Sequence, residues 1–193
     1  QVFDRTSDEA HDAFRMPVYM QELLVKGHLG DKTPKLGGFY RRVVIDARKV
    51  DMVLDPKIGG YVERRATEPV AFVEQSKRLH AEGRYAEALA VLLHATGPEA
   101  ELVRKVLFGY VSYALNRVGP QEVASEVGVV DGILGHGFRW APPGVLVDLF
   151  GAKATIEAMK ACGLQVPALV SGLRAGEKLS SGAGNIGRYF VAR

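Results

Sequence analysis

The chain has 193 residues, 47% of them hydrophobic and 24% charged, with a net charge of +3. That is an ordinary globular composition, enough for one good-sized domain or two small lobes. It excludes helical membrane spans, since no apolar run approaches the roughly 18–20 residues a span needs, and with one cysteine, Cys162, it excludes an internal disulfide.

The elements read mostly as helix. Ser7-Asp8-Glu9 is a capped, acidic first turn, suited to the positive end of a helix dipole. Pro17 and Gly27 bracket a short helix over 18–26, with proline opening it and glycine just past its end. From Phe39 to Arg65 the texture changes. Val43-Val44-Ile45, Met52-Val53-Leu54 and Tyr61-Val62 alternate with charges, and Asp55-Pro56 and Gly59-Gly60 supply turns, which predicts a small hairpin or three-stranded piece. Thr67-Glu68-Pro69 opens a helix to about Glu82, stopped by Gly83, and Arg84 to Ala95 follows. Gly97-Pro98-Glu99 starts the most apolar helix, in which Leu102, Val103, Val106, Leu107, Tyr110, Val111, Ala114 and Leu115 recur at helical spacing; it is expected at the centre of the core. Gly119-Pro120 ends it and predicts a helix over 121–134. Pro142-Pro143 open another to Phe150, Lys153 to Cys162 continue, and Gly163 closes the set. Ser180 to Gly187 reads as a glycine-rich loop and Arg188 to Ala192 as a last strand. The expected fold class is mainly α with a small β hairpin element.

One pattern occurs twice. Met16-Pro17-x-x-Met20-x-x-Leu23-x-x-Lys26-Gly27 leads to Gly38-Phe39-Tyr40, and Val166-Pro167-x-x-Val170-x-x-Leu173-x-x-Gly176 leads to Gly187-Arg188-Tyr189-Phe190. Each copy reads as a short helix, a glycine stop and an aromatic strand. The second is preceded by helices from about Pro98 to Gly163, the first by almost nothing, and the chain opens on Gln1. The expectation is a chain that begins part-way through a duplicated domain.

The catalytic patterns are sparse. Gly182-x-Gly184-x-x-Gly187 matches the dinucleotide fingerprint in letters, but that site needs a following helix and an acid about 20 residues on, and six residues remain. The stretch therefore reads as a loop. Gly135-His136-Gly137 reads as a helix stop. The five histidines show no metal-ligand spacing, so no metal site is expected. Glu74/Arg78 and Glu101/Lys105, four apart, read as ion pairs on solvent faces. Cys162 reads as a small residue near a helix end, because nothing local would activate it. The basic residues are spread along the chain, so nucleic acid is not an expected partner. The turn Gly27-His28-Leu29-Gly30-Asp31-Lys32-Thr33 presents one lysine between a helix and a strand.

That turn carries a resemblance. Phe14-Arg15-x-Pro17, Leu23-x-x-Lys26-Gly27-x-Leu29-Gly30-Asp31-Lys32-Thr33 and Gly38-Phe39-Tyr40 resemble the closing segment of the L-3-hydroxyacyl-CoA dehydrogenase family. Val130-Asp131, Gly137-Phe138-x-Trp140-x-x-Pro143-Gly144 and Asp148-x-x-Gly151 are similar to another signature of its C-terminal helical domain. The matches cover about residues 5–42 and 98–175, in the order of a multidomain β-oxidation enzyme whose helical domain is duplicated. The resemblance implies helical repeats like the C-terminal domain of 6-phosphogluconate dehydrogenase, divided as the tail of a first repeat (1–42), a β-containing spacer (43–66) and a second repeat (67–193). It implies NAD as cofactor and an acyl-CoA substrate, both bound through a Rossmann domain outside this chain, with a homodimer and a cytoplasmic location. The family's catalytic residues and nucleotide glycines match no position here, so no catalytic residue is assigned and this stretch alone is expected to be inactive. One position carries over: Lys32, the lysine that reaches NAD in related enzymes, a compact ammonium suited to hydrogen-bond ribose or carboxamide oxygens. The turn departs from the family pattern in being two residues longer, with Pro34. A non-catalytic helical interaction module is the alternative expectation.

Overall fold

A computed structural model describes residues 2–180. The chain divides into two compact units, Gln1–Glu68 and Pro69–Arg193. The described residues are mainly helical with one small antiparallel sheet, which is the fold class the sequence leads one to expect.

The first unit runs α1 (Val2–Arg5), a 3-10 turn (His11–Phe14), α2 (Val18–Val25), a second 3-10 turn (Gly30–Lys32) and strands β1 (Tyr40–Ile45), β2 (Arg48–Asp55) and β3 (Gly60–Glu63). The helix signal at Ser7-Asp8-Glu9 yields only the 3-10 turn. The Asp8 carboxylate accepts the Ala10 amide at 3.0 Å, but Pro17 lies too close behind for a full helix and biases the residue before it away from helix. Pro17 stands just outside α2, as its N-cap. The sheet has the order β1-β2-β3, with Val43 opposite Val50 and Val53 opposite Val62. The β1–β2 turn puts Asp46 and Ala47 at φ +48° and +63°, a conformation no glycine in the sequence announced.

The second unit runs α3 (Ala71–Ala81), α4 (Tyr85–His94), α5 (Pro98–Asn116), α6 (Val127–Gly132), a π turn (Ile133–Gly137), α7 (Pro143–Phe150), α8 (Ala152–Ala161) and α9 (Ala168–Ser171). As expected, α5 is central. Its Phe108, Val111 and Leu115 are buried with Leu146 and Val147 of α7, Met159 of α8 and Val170 of α9. Side chains tie the layers together. Ser76 donates to Ala88 O at 2.9 Å, Arg104 donates to Ala95 O at 2.6 Å across the end of α4, and Ser112 donates to Gln165 O at 2.5 Å.

The sequence and the structure differ in three places here. The helix expected over 121–134 begins only at Val127, because residues 117–124 close on themselves: Gly119 N–H donates to Ala124 O at 2.9 Å and Ala124 N–H to Arg117 O at 3.1 Å. Glu74 pairs with Lys77, at 2.7 Å, rather than with Arg78. Glu101 and Lys105 form no ion pair among the described residues. The repeated prolines share a backbone geometry, φ −58° and ψ 148° at Pro17 and φ −60° and ψ 139° at Pro167, each directly before a helix. The helices differ in length, eight residues against four, the shorter one stopped by Gly172. The loop and last strand expected from residue 181 onward, with the Gly182-x-Gly184-x-x-Gly187 letters, lie outside the described residues.

Candidate functional site

Two places carry the quoted motifs, one in each unit. In the first unit α2 ends at Val25, and its open carbonyls are taken up by Gly27 N–H to Leu24 O (3.0 Å) and His28 N–H to Leu23 O (2.9 Å). The chain then turns on Thr33. Its hydroxyl donates to Gly27 O and accepts the Leu29 amide, both at 2.9 Å, and its carbonyl accepts the amides of Leu36 (2.9 Å) and Gly37 (2.8 Å). The extra residues around Pro34 are absorbed by this second turn. Gly30 N–H then donates to Gly37 O at 3.0 Å, closing the loop on itself. Only glycine fits at the closure. A Cβ on Gly38 would stand 2.9 Å from Gly30 Cα, and one on Gly37, at φ +78°, would collide with Arg41 Cβ.

Lys32 leaves this turn exposed, with no ion-pair partner among the described residues. It borders a pocket of about 400 Å³ whose walls include Met16, Met20, Leu23 and Phe39, with His28 as the other polar side chain. No described carboxylate lines it. His28 Nδ1 lies 3.0 Å from Leu36 O and 3.2 Å from the Tyr61 hydroxyl, which donates to Gly38 O at 2.6 Å. The Arg41 guanidinium covers the Tyr61 ring at 4.3 Å, and through Tyr61 the sheet is fastened to the turn that carries Lys32. Sequence reasoning found the lysine and the glycines but missed His28 and Tyr61. The two are 33 residues apart, and nothing local marks them as neighbours.

In the second unit the Asp131 carboxylate, buried at the end of α6, caps α7 from outside that helix. It accepts the Gly144 amide at 2.8 Å and faces the Val145 amide. The approach demands glycine: a Cβ at Gly144 would stand 2.6 Å from Val127 Cγ1 and 2.7 Å from Asp131 Oδ2. Burial pushes the Asp131 carboxyl up to about 6, with the Asp148 charge adding to it, against the two amides that favour the carboxylate. Burial, and then the Asp131 charge, likewise raise the Tyr110 phenol, which donates to Ala141 O at 2.9 Å. Asp148, further along α7, accepts Leu179 N–H at 2.7 Å and the Ser180 amide and hydroxyl at 3.0 and 2.7 Å. The aspartates and glycine of this motif thus fix helix ends and a chain crossing. Among the described residues no group of three metal-ligating side chains converges, and no helix is long and apolar enough to cross a membrane.

In class, then, the molecule is a mainly α protein with a small sheet, carrying a glycine-locked lysine turn and an aspartate-capped helix. The chain is similar to the "Probable 3-hydroxyacyl-CoA dehydrogenase" of Bacillus subtilis (strain 168), with 27% identity over 167 residues, 86% of this chain. It spans 20% of the length of that relative. No protein-family model and no solved structure matches it. The likeness, distant as it is, supports the family that the motifs resemble.

Proposed function

We propose that the chain is part of an NAD-dependent 3-hydroxyacyl-CoA dehydrogenase of fatty acid β-oxidation, which in its complete form oxidises L-3-hydroxyacyl-CoA to 3-ketoacyl-CoA. The observation that carries this reading is the similarity to the Bacillus protein over 86% of the chain. On it, residues 1–42 are the tail of a first helical repeat, 43–66 a spacer and 67–193 a second repeat. Their work is to shape the cleft against a Rossmann domain and to supply dimer surface. No catalytic residue is assigned to this chain, and by itself it turns over no substrate. The lone cysteine, Cys162, is free and suits a reducing cytoplasm.

Lys32 is the residue assigned to the cofactor. Its surroundings suit one: an exposed ammonium without an ion-pair partner among the described residues, beside an apolar pocket, in a turn whose backbone is fixed by Thr33 and the glycine contacts. When bound, NAD supplies the hydride acceptor. The part of Lys32 is to donate hydrogen bonds to oxygens of the dinucleotide, and the part of the turn is to hold the lysine at one place.

The test is Lys32→Ala in the full-length enzyme. Loss of a charged hydrogen bond costs about 1.5–3 kcal/mol, so the NAD dissociation constant should rise roughly 10- to 150-fold with the melting temperature nearly unchanged. Lys32→Arg should recover only part of the affinity, because a planar fork differs from an ammonium in reach. An unchanged NAD affinity in the alanine variant would make the turn a plain connector and favour the interaction module.

A further inference from the structure

Between β3 and α3 the chain runs open. Every residue from Val62 to Val70 is exposed, and 64–70 belong to no helix or strand. Residues 65–69 take part in no hydrogen bond among the described residues. Pro69 accounts for part of this, since it has no amide to give and biases Glu68 toward extended backbone. Exposed main chain without hydrogen bonds opens at little cost, and that is what a protease requires of its substrate.

The side chains there fit one class of protease. Arg64 is engaged: its amide donates to Asp51 O at 2.8 Å, and its guanidinium lies 5.5 Å from the Tyr40 ring centroid. Arg65 is exposed and makes no ion pair, ring contact or hydrogen bond among the described residues, so its guanidinium is free to enter an acidic specificity pocket. The edge strand prepares the main chain as well. Arg64 turns its amide toward β2, so the alternation of an antiparallel ladder turns the main-chain groups of Glu63 outward, on the open side of β3. Arg65 is the next outward position. Serine proteases hold a substrate as an added antiparallel strand, through the residue whose carbonyl is attacked and the residue two before it. Here those are Arg65 and Glu63. Lys57 and Arg174, also outside helices and strands, are held in turns instead, their amides taken by Asp55 at 2.8 Å and by Glu177 at 2.9 Å.

We propose that the Arg65–Ala66 peptide bond is a processing site for an arginine-specific serine protease. The protease serine adds to the Arg65 carbonyl and gives its proton, through the protease histidine, to the leaving Ala66 nitrogen; water then releases Arg65 as a carboxylate. The cut severs the covalent link between the unit that carries Lys32 and the helical unit, whose buried apolar side chains all lie beyond Ala66. The site goes beyond the dehydrogenase reading and does not depend on it, since neither NAD nor a substrate takes part. The test is limited digestion of the native 193-residue chain with trypsin, the products weighed by mass spectrometry. Fragments 1–65 and 66–193 should appear first. Arg65→Gln should slow that cut at least about tenfold, because the specificity pocket is left without its cation. Arg64→Gln should leave its rate and position nearly unchanged. The 66–193 fragment should keep its helical circular dichroism, because its core is complete. A first cut elsewhere, protection by Arg64→Gln rather than by Arg65→Gln, or a 66–193 fragment without helical signal would overturn the proposal. Both substituted positions are exposed, so an unchanged melting curve confirms that each variant is folded before digestion.

Discussion

Every buried apolar side chain among the described residues lies in Pro69–Arg193, whereas the only buried residues among those described in Gln1–Glu68 are Gly37 and Gly38. The second unit is organised by α5 and its contacts with α7, α8 and α9, where Phe108, Leu146, Met159 and Val170 are each at most 1% exposed. The first is organised by main-chain geometry: two β ladders, the Thr33 turn and the contacts of Gly30, Gly37 and Gly38. Burial of a large apolar side chain contributes roughly 1.5–3 kcal/mol, and a net hydrogen bond about 1 kcal/mol. The two units should therefore answer differently to the same kind of substitution.

The largest contrast is expected between two phenylalanines. Phe108→Ala should cost about 3–5 kcal/mol, because it empties a closed site. Phe39→Ala, at a ring 44% exposed, should cost under about 1 kcal/mol. Urea titrations of both variants, followed by signals from each unit, make the comparison, and similar losses would end it. Next comes Gly144→Ala, where the added methyl meets Val127 and Asp131; overpacking should cost about 1–3 kcal/mol, read from the same titrations.

The same contact predicts a pH dependence confined to the second unit. The folded Asp131 carboxyl is raised, so its contribution to stability is complete below the unfolded value and is lost as pH rises through about 6. Between about pH 4 and 6 the native protein should therefore lose stability relative to Asp131→Asn as pH increases. Melting curves across that window decide it, and parallel profiles would assign the titration elsewhere. The smallest effect belongs to the first unit. Ala47 at φ +63° occupies a conformation that suits glycine, and Ala47→Gly should stabilise the β1–β2 hairpin by about 0.5–1 kcal/mol. Slower amide exchange along that ladder would register it.

Much of the backbone is legible in the amino-acid sequence. Pro98 and Gly97 start α5, Gly83 ends the α3 region, and three alternating runs become three strands, because capping, proline geometry and period-two alternation act within a few residues of chain. The lysine turn is legible in the same way, through its glycines. Burial is not. Leu102, Val106, Phe108 and Val111 are equally apolar in the sequence, and only packing against α7, α8 and α9 decides which of them meet solvent. The helix expected from Gln121 gives way to a loop whose own carbonyls, at Arg117 and Ala124, take its amides first. The cap of α7 comes from Asp131, thirteen residues back, and the end of the lysine turn, at Gly38, is held by Tyr61, on a strand well downstream. The sequence by itself determined where most helices and strands begin and end, since those choices are local. Tertiary structure decided which faces are covered, which carboxylate titrates high and what stands next to Lys32. Each of those depends on atoms brought together from distant positions, whose cost or gain exists only once they touch.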